Sequence, residues 1–233
     1  MKVTVLSLTI CKTINRGEFM PTWINHFRVA DKIIDKIDNI DKQYFAIGTI
    51  APDCGIQVKP HGIYEPPSGV THFTEELEYS KKTDCDYIYV YEHYVANEND
   101  LKKKSFFLAY TIHLFTDCVF AKNIFMPIEE KYGDFRYNED LSKRVKLERN
   151  NIDFMFVRNN VSPTFEIFKS CGSFNESYPD WYKHNEINKK MKFIIDWYEN
   201  CKCQDLDYKY VTPKMMDDFV AKTAELIKTE FNF

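Results

Sequence analysis

The longest apolar stretch of the chain, FFLAYTIHLFTDCVF from Phe106 to Phe120, has no hydrophilic face. A helix that is apolar all round belongs inside a core. With Asn99 or Asp100 available as N-cap, the pattern predicts a helix from there to about Lys122. After Thr22, which can cap, the residues Trp23, Phe27, Ala30, Ile33, Ile34 and Ile37 recur at helical spacing. Tyr44 to Ile50 is a short apolar run with small residues at Gly48 and Thr49, which suits a tightly packed helix end. Pro52 stops it, because proline disfavours helical backbone in the residue before it. Three prolines and three glycines between positions 55 and 70 read as a loop. Residues 75 to 97 are tyrosine-rich; the alternation in DYIYVYEHY suits a strand, but the helical neighbours favour helix. Amphipathic helices are predicted over 138–157, 163–170 and 179–200, and from Pro213 to about Lys228.

These elements predict an all-α fold, a single-domain multi-helix bundle over residues 20–233. Met20 stands just before a strong helix, so residues 1–19 read as an N-terminal arm outside the folded unit. No internal repeat or linker divides the chain. Gly133 and Gly172 are candidate hinges on glycine's permissiveness alone.

Composition narrows the picture. With 19 Phe, 15 Tyr and only 7 Gly, the chain has aromatic core material and too few turn formers for an all-β fold. The net charge of -4 provides no basic footprint, so no nucleic-acid partner is expected. The seven cysteines have no zinc-finger spacing, and Cys201 and Cys203 stand too close for a CxxC motif. They read as reduced thiols of a cytoplasmic protein. No stretch reaches the ~18 apolar residues of a membrane-spanning helix, and MKVTVLSLTICKT is a poor signal peptide.

Polar groups stand out where the pattern is greasiest. His113 and Asp117 are four residues apart on the central helix and share one face. A carboxylate in hydrocarbon is costly unless it is paired. Either the two residues bond each other or both face a metal ion. His26 in WINHFRV, Asp53 in GTIAPDC and His72 in VTHFT have similar surroundings. Each alone has a structural explanation: a bonded carbonyl, a turn former, a packed ring edge. Together they would need a separate buried partner each, whereas one metal centre satisfies them all. Imidazoles and carboxylates without thiolates suit zinc, or Mn2+ or Fe2+, at a hydrolytic site. Three His and two Asp exceed what one tetrahedral ion needs, which suggests two ions and a bridging carboxylate.

In order, WINHFRVADKI, FAIGTIAPDCG, THFT and YTIHLFTD resemble the zinc-dependent phospholipase C family, whose metal site is similar to that of the P1-type nucleases. The resemblance covers roughly residues 20 to 125. It implies an all-helical protein that hydrolyses phosphate esters with a zinc cluster. Carried over by position, it assigns Asp53, His72, His113 and Asp117 to one zinc. Asp117 would bridge to a second ion, which His26 would also ligate. Asp53 is implied as a general base as well, a role that competes with ligation.

The chain departs from the family pattern in two places. Trp23 is internal, whereas the secreted enzymes ligate zinc through a mature N-terminal tryptophan. After Asp117 the only histidine is His184, and Asn188 stands four positions on, so the family's H-x-x-x-E is missing. One or two ions are therefore expected, not three.

The activity implied is attack of water on phosphorus in a phosphoester small molecule or a phospholipid headgroup. A helical binding protein that keeps its metal without turnover is the alternative; a P1-type nuclease is a third reading, disfavoured by the charge. Arg28 and Lys59 lie near the ligands in the chain and are candidates to touch phosphate. Tyr178, Trp181, Tyr182 and Trp197 are either helix-packing aromatics, the favoured reading, or a pocket wall. His61, His93 and His184 read as surface or loop histidines.

Overall fold

The computed structural model describes residues 20–59, 63–74, 86–183 and 185–233. The expected arm 1–19, and His61 and His184, lie outside the described residues. The fold is all-α, as the pattern predicts. Helix α1 spans Trp23–Ile33, α2 Lys42–Gly48, α3 Ser68–Thr71, α4 Tyr87–Tyr94 and α5 Leu101–Phe120. Then follow α6 Met126–Tyr132, α7 Glu139–Asn159, α8 Pro163–Ser170, α9 Glu186–Glu199 and α10 Pro213–Phe231.

Two expectations are corrected: the helix expected over 179–200 begins only at Glu186, and the loop expected over 55–70 is in part strand. The segment read as loop contains an antiparallel hairpin, β1 Ile56–Lys59 and β2 Ile63–Glu65. Gly55 stands just before β1 and Pro66 just after β2, so these turn formers bound the strands. The tyrosine-rich segment is helical at α4, and residues 75–85 lie outside the description.

The centre of the molecule is α5. Every residue from Ser105 to Phe120 is buried, as an all-round apolar helix must be. Its N-terminus is capped by Asp100, whose side chain accepts from the Lys103 amide. Helices α2, α4 and α10 pack against it. The α2 contact is close because Gly48 has no side chain: a Cβ there would lie 2.2 Å from the Phe106 carbonyl oxygen. Beyond Phe120 the helix passes through a π-helical turn, Ala121–Phe125, into α6. Pro127 has no amide to continue an α-helical ladder, and the wider turn absorbs the break.

Helix α1 packs against α5, α8 and α10. It is also tied from behind by a buried polar network. Asn25 Nδ2 donates to Thr22 Oγ1 at 2.6 Å and to Asp153 Oδ1 at 3.2 Å. The Tyr198 hydroxyl donates to Asp153 Oδ2 at 2.8 Å and accepts from the Ile24 amide. Thr22 therefore holds the N-cap position without a cap bond to the backbone, because its hydroxyl serves Asn25. Glu148 anchors the segment before α10, accepting from the amides of Lys209, Tyr210 and Val211.

Candidate metal centre

Three helices and one turn bring the five side chains together. His26 comes from α1, Asp53 from the 3-10 turn Ala51–Asp53 after α2, and His72 from the C-cap of α3. His113 and Asp117 are successive turns of α5. His26 Nε2 lies 3.4 Å from Asp117 Oδ1. His72 Nε2 and His113 Nε2 lie 3.5 and 3.4 Å from Asp117 Oδ2. Both also approach Asp53 Oδ1, at 3.5 and 3.9 Å. Separations of 3.4 Å or more are too long for good N–H···O bonds. The four at 3.4–3.5 Å lie close to the edge of a tetrahedron around zinc, about 3.3–3.4 Å for bonds of about 2.0–2.1 Å, and the fifth, 3.9 Å, is longer.

Each histidine but one is aimed by its second nitrogen. His113 Nδ1 lies 2.8 Å from the Thr49 carbonyl oxygen, and His72 Nδ1 lies 3.1 Å from that of Ser68 and 2.9 Å from Thr71 Oγ1. A carbonyl only accepts, so Nδ1 carries the proton and Nε2 of the neutral ring presents a lone pair to the centre. His26 is held by packing instead, stacked on His113 with ring centroids 3.7 Å apart and 4° from parallel. The Nε2 atoms of all three histidines are buried and make no hydrogen bond among the described residues. A buried polar atom left in this way is costly, and a cation at the centre removes the cost for all three.

Next to His72, Phe73 has φ +53°, a conformation costing about 1–3 kcal/mol for a bulky residue. Its ring is locked against Trp181 and Tyr89, 5.2 and 5.6 Å between centroids. The Tyr110 hydroxyl donates to the Thr71 carbonyl. These contacts hold the strained turn that presents His72.

As side chains alone, the five groups are electrostatically frustrated. Burial and neighbouring His113 push the His26 pKa well below the ordinary value. Burial raises that of Asp117. Burial also opposes charge on His113, but Asp117 outweighs it and lifts His113 to about 9. For Asp53, burial acts upward, and the neighbouring His113 and His72 overcome it and hold the carboxyl below the ordinary range. A divalent cation suits this donor set. Two triads, His26–Asp53–His113 and His72–His113–Asp117, each have ligand atoms within 4.8 Å of one another.

The other candidates fall elsewhere. Arg28 is turned from the centre: it bonds Asn25 Oδ1 at 3.2 Å, pairs with Asp217 and lies 4.4 Å over the Phe156 ring. Lys59 is in β1, and its side chain lies outside the description. Trp181 packs on Phe73 and Tyr182 donates to the Ala51 carbonyl at 2.6 Å, so both are structural. Trp197 stands apart from them, half-exposed beside a cleft. His93 is exposed, as expected. Asn188, at the place of the missing glutamate, fastens Phe174 by its amide and its carbonyl. Thr49, Ser68 and Thr71 escaped the sequence reading, although Thr49 and Thr71 lie inside the quoted motifs. The Asp153–Tyr198 pair had no local signal.

A helical scaffold that brings together three imidazoles and two carboxylates defines a protein with a candidate metal centre of nitrogen and oxygen donors. The chain belongs to the zinc-dependent phospholipase C family: the family's model matches residues 25–232, nearly the whole chain. The family is one of zinc phosphoesterases that act on phospholipids. Neither the curated proteins nor the solved structures give a significant match. Among the described residues, no helix is long and apolar enough to cross a membrane.

Proposed function

We propose that this chain is a zinc-dependent hydrolase of phosphodiesters, phospholipase C-like in its chemistry, with residues 20–233 forming one domain around the centre. The observation that carries this reading is the convergence of five side chains, with His26, His72 and His113 near tetrahedral-edge spacing from Asp117 and their Nε2 atoms unbonded.

His72, His113 and Asp117 are buried and would hold one zinc ion. Asp117 turns its other oxygen to His26, so a second ion would share that carboxylate. Zinc bound there supplies a Lewis acid for the phosphoryl oxygens and lowers the pKa of water.

Asp53 differs from the other acid. Its side chain is 21% exposed, against 0% for Asp117, and it lines a cleft of about 290 Å³. Four protein ligands would close a tetrahedral site, as in structural zinc centres, while catalytic sites keep three and an open position. Asp53 has the longest approach in the set, 3.9 Å to His113. Its exposure to the cleft supports a role as acceptor, at a carboxylate oxygen, of the proton of a water attacking phosphorus. The P–O bond to the alcohol then breaks, leaving a phosphomonoester and an alcohol.

If Asp53 instead stays a fourth ligand, the same geometry favours a metal-stapled binding protein without turnover. One experiment separates the two: purified protein is loaded with zinc, its metal content measured, and hydrolysis of bis(4-nitrophenyl) phosphate followed. The hydrolase reading requires zinc-dependent release of nitrophenolate that chelation abolishes. Zinc binding without any release overturns it.

A further inference from the structure

Besides Asp53 and His72, the cleft is lined by Lys146 and Arg149 of α7 and Lys190 of α9. Asp53 is the one acidic side chain among the described lining residues. Lys190 Nζ lies 5.4 Å over the Trp23 ring and 5.8 Å over that of Phe193, which holds it at the cleft wall. Lys146 is exposed. Arg149 is almost buried and donates to the Met20 carbonyl at 2.8 Å; Asp153, one turn along α7, balances part of its charge. The two lysines therefore supply most of the surplus.

The charge count decides what this wall can serve. Two carboxylates and three neutral imidazoles carry a charge of -2, which one divalent ion cancels and a second turns to +2. A phosphodiester adds a single negative charge, which the centre itself attracts. The cations of α7 and α9 then face a cleft in which Asp53 is the one carboxylate among the described residues. A cationic headgroup such as choline would meet like charge there, at a cost in a partly desolvated site.

Resting on the hydrolase reading, we propose that the substrate is a phosphodiester whose headgroup carries a second negative charge. Lys146 and Lys190 receive that charge, with Arg149 behind them. Trp23, Phe193 and Trp197 cover its carbon skeleton.

The test uses three 4-nitrophenyl phosphodiesters whose second ester group is choline, ethyl or 2-carboxyethyl, with the zinc-loaded full chain at low ionic strength. The carboxyethyl diester is expected to have a KM about tenfold below that of the choline diester, with the gap narrowing as salt is added. Lys146→Gln and Lys190→Gln should each shrink that ratio about threefold. Equal KM values, or a preference for choline, overturn the proposal. If none of the diesters is cleaved, the hydrolase reading fails on its own, and the wall is judged by calorimetric titration with the corresponding methylphosphonate monoesters. Tighter binding of the carboxyethyl ester there supports the anionic preference, and equal or weaker binding overturns it.

Discussion

His26 and His113 lie face to face, their rings 3.7 Å apart and 4° from parallel. Two imidazolium rings would repel at that distance, so at most one is protonated, and burial with His113 beside it makes His26 the neutral one. His26 Nε2 and His113 Nε2 each lie 3.4 Å from a different oxygen of Asp117. One carboxylate thus faces a histidine on each side, the arrangement needed for a shared ligand between two cations.

Removing an aimed ligand should empty the centre. His113→Ala deletes the ring that Thr49 orients and that both triads share. Zinc per chain, measured by elemental analysis, is expected to fall from about one or two equivalents to near zero. Chelation of the unaltered protein should lower its melting temperature, because zinc binds the folded state. A variant that keeps its full zinc content would show that the ions are held elsewhere.

Asp53→Asn distinguishes base from ligand. With Asp53 as the proton acceptor, zinc content is retained and kcat drops by about 100-fold or more. The readout is paired metal analysis and turnover of bis(4-nitrophenyl) phosphate. Loss of zinc along with activity would place Asp53 among the obligatory ligands.

The contact of α2 with α5 depends on a missing side chain. In Gly48→Ala the new methyl would stand 2.2 Å from the Phe106 carbonyl oxygen and 2.9 Å from its carbon, both backbone atoms. The helices must separate, displacing Thr49 and the Asp53 turn. A destabilisation of at least about 1–3 kcal/mol is expected in urea unfolding. Unchanged stability would mean that this approach is looser than described.

Asp153 makes stability depend on pH. Burial lifts its carboxyl from the ordinary range to about 7, against the pull of its bonds to Thr22 and Tyr198. The folded state binds the proton more tightly than the unfolded chain, so its contribution is full below the unfolded pKa near 3.8. It is lost as pH rises through about 7. Asp153→Asn mimics the neutral acid, accepting from Asn25 and donating to Tyr198. The variant should therefore gain stability relative to the unaltered protein between about pH 4 and 8, by a few kcal/mol at most. Parallel pH profiles for the two proteins in denaturant titrations would refute this.

Much of the fold was legible because helices announce themselves locally. The apolar run of α5, the Asn99 or Asp100 cap before it, the helical spacing in α1 and the start of α10 at Pro213 were all visible in the chain. The hairpin was not, because strands of four and three residues leave too short an alternation to detect. For the site, His26, Asp53, His72, His113 and Asp117 stood out as hydrophilic groups in apolar surroundings, a contrast that needs only neighbours in sequence.

Which way each group points was decided by tertiary structure. Arg28 follows His26 by two positions, yet it turns to Asp217 because residues two apart on a helix face different sides. The cation wall joins Lys146 and Arg149 of α7 to the distant Lys190 of α9, and the network behind α1 joins Asn25, Asp153 and Tyr198, which are far apart in the chain. The chain alone determined which residues are too polar for their surroundings, since composition and periodicity are local. Only packing determined where those residues meet, because the contacts between α1, α5, α7 and α9 are set by which faces bury together.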